Sequence, residues 1–216
     1  MNHSMKSIRI HLRILLTLLV AVWLVLACKK NGWTEEERAL IAGQPDVMRV
    51  LTVENEGDLQ VLRTPCTNLS AAMLADLLYE QLAAKMIATV TSPEQNGVGI
   101  AGPQVGLSRR IVAVQRFDKE GEPFEVYPNI RIIALRGEPE LGREGCLSVP
   151  GRRGEVLRYR DIDIQYTLPA SSKDTTERIE GFTAVIFQHE TDHLDGVLYI
   201  DKLAPEHPEA SASDSE

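Results

Sequence analysis

Residues 181–194 read GFTAVIFQHETDHL, and this stretch decides the fold. The run Ala184-Val185-Ile186-Phe187 is apolar on every face of a helix, so a helix here is expected to be buried rather than laid on a surface. Gly196 follows as a stop signal. The same helix carries His189, Glu190, Asp192 and His193, polar groups that cost several kcal/mol when buried unless they are paired or bound to a metal. Such a helix needs walls around it.

The walls lie upstream. Ile162, Ile164, Tyr166 and Leu168 alternate with polar neighbours, and Ile111 to Val114 and Tyr127 to Leu135 are rich in branched residues, so all three read as strands. Pro169 to Thr176 reads as a polar loop. From Ser70, an N-cap, Leu74, Leu77, Leu78, Leu82 and Met86 recur at helical spacing until Pro93, which predicts an amphipathic helix of about five turns. The order helix, strands, helix, without regular strand-helix alternation, predicts an α+β domain of about 155 residues beginning near Met48 rather than a doubly wound sheet. Residues 28–47 read as a polar spacer and residues 205–216 as a disordered acidic tail.

His189 and His193 stand four residues apart, so both imidazoles reach one ion from one helical face, and Glu190 sits where its carboxylate can take a proton from water. The bland alternative is a pair of core histidines satisfied by hydrogen bonds. A catalytic metal needs a third protein ligand and an open position. Downstream candidates are Asp195, Asp201, Glu206, His207 and Glu209; upstream, Cys146 in Glu144-Gly145-Cys146-Leu147-Ser148 would complete a Cys-His-His set. Cys66, with no histidine or acid cluster around it, reads as a small structural residue. Residues 97–104, GVGIAGPQ, contain G-x-G-x-x-G, but a polar loop precedes them and Pro103 follows the last glycine, which excludes a dinucleotide fingerprint. They read as a tight turn, or as a place where substrate passes close to the backbone with Gln104 facing it.

Composition narrows the function classes. The chain has 216 residues, 44% hydrophobic and 25% charged, with a formal charge of −8, the wrong sign for a nucleic-acid partner. Three cysteines at irregular spacing are no disulfide framework. Residues 1–27 hold Lys6, Arg9 and Arg13, no acid, and an apolar run from Ile14 to Ala27 that would span about 21 Å as a helix, short of a roughly 30 Å bilayer core. This is the pattern of a signal peptide, and Val25-Leu26-Ala27-Cys28 resembles a bacterial lipobox with Cys28 as the lipidated residue. Removing those three basic residues from 23 while keeping all 31 acidic ones takes the formal charge from −8 to −11. An exported body would thus be held at a membrane by lipid rather than by surface charge. The alternatives are an uncleaved anchor or translation from Met48.

Three segments, GVGIAGPQ at 97–104, EGCLS at 144–148 and QHETDH at 188–193, together resemble the peptide deformylase family, whose pattern is G-x-G-x-A-A-x-Q, E-G-C-L-S and Q-H-E-x-D-H. The resemblance covers roughly residues 48–204, a catalytic domain in which it implies antiparallel strands packed around a buried metal-binding helix, and Gly102 stands where the family has alanine. It implies that Cys146, His189 and His193 bind one divalent metal, usually Fe2+, with Zn2+, Ni2+ or Co2+ able to substitute. It implies Glu190 as the acid-base group in hydrolysis of the formyl amide of N-formylmethionyl peptides or nascent chains. The Gln104 side chain and the Leu147 backbone N–H would meet the developing oxyanion. Phe182, Val185 and Ile186 would face the methionine side chain, Val98 and Gly99 would bond the peptide as a strand, and Arg153 is a candidate substrate contact. A monomer is expected. Two other readings stay open: a catalytically retired, membrane-attached binder of formylated N-termini, and a zincin-type metallopeptidase. The family's chemistry belongs in the cytoplasm, whereas the N-terminus predicts an anchored lipoprotein of the bacterial cell envelope.

Overall fold

A computed structural model describes residues 32–43 and 45–205. The signal-like segment, Cys28 and residues 206–216, with Glu206, His207 and Glu209, lie outside the described residues.

Among the described residues four helices precede the strands: α1 (Glu35–Gly43), α2 (Glu56–Leu62), α3 (Ala71–Leu74) and α4 (Leu77–Val90). The segment expected to be a spacer is in part folded. Trp33 and Ile41 are buried in the same apolar cluster as Leu82, Met86 and Ile100, and Glu37 pairs with Arg109 at 2.6 Å. Charged residues at 35–38 concealed this, because only one face of α1 is apolar and the helix is short. The five-turn helix expected from Ser70 is two helices. Ser70 caps α3 by accepting from the Met73 N–H at 3.2 Å, and Asp76 restarts the chain by accepting from the Leu78 N–H at 3.1 Å. The restart turns Leu77 out to 72% exposure, while Leu82, Met86 and Val90, one turn apart, are fully buried.

Among the described residues all eight strands pair antiparallel. The first sheet has the order β1-β2-β3, from β1 (Gly99–Ala101), β2 (Ile111–Gln115) and β3 (Phe124–Pro128). The second has the order β4-β7-β8, from β4 (Arg131–Arg136), β7 (Asp161–Leu168) and β8 (Lys173–Glu180). A hairpin of β5 (Glu140–Cys146) and β6 (Val149–Arg158) stands apart. The run Tyr127 to Leu135 is split between two sheets at Asn129, whose φ is +58° and whose side chain accepts from the Leu69 N–H at 2.7 Å. The loop expected over 169–176 ends early, because Lys173 to Glu180 is a strand. It lacks apolar alternation because its pairs with β7 are polar, as in Arg178 with Asp161 at 2.7 Å; Ile179 alone turns inward, fully buried.

Between the two sheets lies α5 (Gly181–Leu194), with the bounds its sequence predicted. Ala184, Ile186, Phe187 and Leu194 share a buried cluster with Val112, Val114, Ile162 and Ile164. Gly196 closes the helix at φ +74°, and a Cβ there would lie 2.4 Å from the Arg63 carbonyl oxygen. The fold is α+β, with antiparallel sheets around a buried helix.

Candidate metal centre

Cys146 ends β5, and the hairpin returns at once through Val149, so the thiol is carried to the face of α5 where His189 and His193 emerge. One donor atom from each of the three lies within 4.8 Å of the other two, and Cys146 Sγ stands 3.2 Å from His193 Nε2. Asp195 and Asp201, the described downstream candidates, are turned away: Asp195 pairs with Arg110 at 2.5 Å and Asp201 with Arg63. Cys66 is also elsewhere, its thiol pushed up to about 12 by burial.

The electrostatics favour a cation. Burial opposes ionisation of Cys146, yet the charge of His193 and hydrogen bonds from His189 and His193 bring its thiol down to about 5. Burial likewise works against a charged His189, but bonds to Cys146 and Glu144 raise it well above its ordinary value. A thiolate beside two imidazoles is a donor set for a soft to borderline divalent ion. Glu190 is 4% exposed, its Oε2 has no hydrogen-bond partner, and burial pushes its carboxyl up to about 7. An orphaned buried carboxylate beside three converging donors fits a site that holds a metal and water.

A support shell escaped the sequence reading. His189 Nδ1 lies 2.8 Å from Glu144 Oε2, which leaves Nε2 for the metal. Glu144 is itself gripped by Arg158 at 2.7 and 3.1 Å; despite burial, bonds from His189 and Arg158 hold its carboxyl down to about 2. Arg158 also reaches Asp192 at 2.6 Å, and Lys202 completes the chain at 2.6 Å. Glu144 sat inside a recognised motif and could have been found by asking what orients His189. Arg158 had no local signal, being one more charge in a basic stretch. Phe117, 5.5 Å from the Phe182 ring, was equally invisible.

The glycine-bearing segment serves the same place. Gly99 faces α5 so closely that a Cβ would lie 2.5 Å from Glu190 Oε1. Gln104 sits in a 3₁₀ turn (Gly102–Val105); its Oε1 accepts from the Ala101 N–H at 2.8 Å and its Nε2 donates to Ser148 Oγ at 3.2 Å, with Cys146 Sγ 3.7 Å away. Gly102 is closely packed, since a Cβ there would meet the carbonyl oxygens of Arg109 and Leu107 at 2.6 and 2.8 Å. The Leu51 N–H donates to the Gln104 carbonyl at 2.8 Å and the Val53 N–H to that of Ser148 at 2.9 Å, so one extended segment braces both halves of the centre. A cavity of about 670 Å³ opens above it, and every residue proposed from the sequence for substrate lines it: Val98, Gly99, Arg153, Phe182, Val185 and Ile186. Leu147 does so as well.

The polypeptide deformylase family model matches residues 47–209. A peptide deformylase of Halothermothrix orenii is 40% identical over 159 residues, 72% of this chain and 95% of the relative. One from Desulforudis audaxviator is 42% identical over 124 residues, 57% of this chain and 76% of the relative. Among solved structures, the peptide deformylase of Thermotoga maritima superposes with a TM-score of 0.64 at 31% identity, covering 74% of this chain and 99% of that one. The Met-Ala-Ser-bound class I type b enzyme of Acinetobacter baumannii gives 0.64 at 34% identity, covering 73% and 98%.

Proposed function

This chain belongs to the peptide deformylase family, and from that premise we infer how its own residues divide the removal of the formyl group from N-formylmethionyl peptides. The observation that carries the reading is the convergence of Cys146, His189 and His193 beside the buried, unpartnered carboxylate of Glu190. These three residues hold one divalent ion, which we take to be Fe2+, with Zn2+, Ni2+ or Co2+ as substitutes. When bound, such an ion lowers the pKa of a water and polarises a carbonyl.

Glu190 accepts the proton, keeps it in the dry floor of the cavity and passes it to the leaving amine, so that formate and a free methionyl amine depart. Gln104 supplies a fixed donor, because its Oε1 is committed to Ala101 and the amide therefore presents Nε2 toward the centre. The Leu147 N–H is the second donor to the oxyanion. Phe182, Val185 and Ile186 receive the methionine side chain. β1 is the edge of its sheet, so Val98 and Gly99 are placed to take the peptide as an added strand, with Arg153 as a further contact. A complete ligand set with its base favours an enzyme over a retired binder, and a cysteine as third donor favours it over a zincin-type peptidase.

We place the working form as a monomeric lipoprotein anchored at Cys28, supported by the basic and apolar pattern of residues 1–27. Since Trp33 is already part of the core, the five residue steps from Cys28 to Trp33 can reach at most about 18 Å, and the domain would stand directly on the membrane. A cytoplasmic enzyme is the alternative, and the intact mass of protein from native cells separates them: cleavage before Cys28 plus lipid supports the anchor, and an unmodified N-terminus in the soluble fraction overturns it. For activity, the metal-loaded protein is expected to release formate from formyl-Met-Ala-Ser, with the rate abolished in Glu190→Ala. Metal-loaded protein without turnover would sink the reading.

A further inference from the structure

Arginine is used in one way across most of this molecule and in another way at the mouth of the cavity. Arg63, Arg110, Arg116, Arg136, Arg158 and Arg178 are each paired with a carboxylate. Arg143, Arg152 and Arg153 are exposed, line the cavity, and have no ion-pair partner among the described residues. The register of the β5–β6 hairpin explains the concentration. Arg153 lies opposite Gly145, which has no side chain to cover or neutralise it; Arg143, two residues before Gly145 on the same face, lies opposite Glu155, but the two form no ion pair. The bulge in β6 between Val149 and Arg153, with Gly151 at φ +70°, brings Arg152 to the same opening. Among the described residues only two acids line the cavity, Glu144 and Glu190; both are buried, and Glu144 is already bonded to Arg158 and His189. A chain of formal charge −8 thus sets three guanidinium groups without an ion-pair partner among the described residues around a cavity that leads to its metal ligands.

We propose that this rim selects formyl peptides with a carboxylate a few residues beyond the methionine, either the C-terminal α-carboxylate of a short peptide or the side chain of Asp or Glu. The inference rests on the deformylase reading of the same site. It favours the arginines as carboxylate forks over a lipid-binding patch, because they line a cavity rather than a flat face. A peptide entering as a strand on β1 carries its later residues outward to the hairpin.

The test compares kcat/KM on the metal-loaded full chain for formyl-Met-Ala-Ser, its C-terminal amide, and formyl-Met-Ala-Asp amide. The free acid is expected to exceed the amide by about fivefold at low salt, through KM rather than kcat, and the ratio should fall toward one in 0.5 M NaCl and in the Arg143→Gln, Arg152→Gln double variant. Each value is a ratio on one preparation, so partial loss of folded protein cancels. An equal rate for the aspartyl amide and the free acid would mean that any nearby carboxylate serves; a preference for the free acid alone would mean that released short peptides are the substrates. Equal rates for acid and amide would overturn the proposal, as would a ratio that survives both substitutions. Equal rates together with retention on phosphatidylglycerol vesicles would assign the arginines to a membrane surface instead. If neither substrate releases formate, the deformylase reading fails, and the relative affinity for Met-Ala-Ser and its amide still decides the rim.

Discussion

Replacing Gly99 by alanine adds one methyl group at the point where β1 and α5 come closest. The new Cβ would lie 2.5 Å from Glu190 Oε1, 3.0 Å from its Cδ and 2.8 Å from Ile186 Cγ2. β1 has little freedom to retreat, since Gly99 is in register with Val114 and its neighbours Ile100 and Ala101 are paired with Ala113 and Val112. The yielding element is therefore the Glu190 side chain, displaced by the order of 1 Å. Overpacking of this kind costs about 1–3 kcal/mol of stability, and a 1 Å misplacement of a reacting group costs about 100-fold in rate. We expect Gly99→Ala to retain its metal, measured by elemental analysis, and to lose about 100-fold in kcat for formyl-Met-Ala-Ser, with a thermal midpoint lower by several degrees. Gly142→Ala is the control: nothing lies within 4 Å of a Cβ there, and both activity and midpoint should stay near those of the parent. A metal-loaded Gly99→Ala protein within threefold of parental kcat would refute the assignment of Glu190 as the proton carrier held by this contact.

Three further outcomes are expected. Gly102→Ala restores the residue that the family carries, yet its methyl group would press on two backbone oxygens, so the thermal midpoint should drop by about 1–3 kcal/mol in equivalent stability; an unchanged midpoint would show that the Leu107–Arg109 turn adapts freely. Glu144→Gln keeps the shape but removes the charge that orients His189, and metal affinity measured by chelator competition should fall about 10–100-fold; unchanged affinity would confine Glu144 to pairing with Arg158. A chain starting at Met48 loses Trp33, Ile41 and the Glu37–Arg109 pair. With about 1.5–3 kcal/mol for a buried aliphatic or aromatic side chain, it should melt well below the chain starting at residue 32, and equal melting curves would return this segment to the role of a spacer.

Some of this protein was legible from the chain alone because the signals were local. The bounds of α5, the alternation of β7, the cap at Ser70 and the stop at Gly196 each depend on neighbours a few residues away. So did the His189-Glu190-x-x-His193 spacing, since helical periodicity places both imidazoles on one face whatever surrounds them. Elements whose partners are distant were read less well. β8 is a strand because β7 lies beside it, and α1 is folded because α4 and the first sheet cover Trp33 and Ile41. Cys146 was one candidate among several for the third ligand until a hairpin brought its thiol within 3.2 Å of His193. The chain of ion pairs from buried Glu144 and Arg158 through Asp192 to exposed Lys202 joins three separate parts of the sequence, and no composition or spacing could announce it. Sequence by itself determined the type of chemistry, through which donors and which base stand on one helix. Tertiary structure decided which cysteine joins them, what orients His189 and how closely β1 presses on Glu190, because those are matters of distance between residues far apart in the chain.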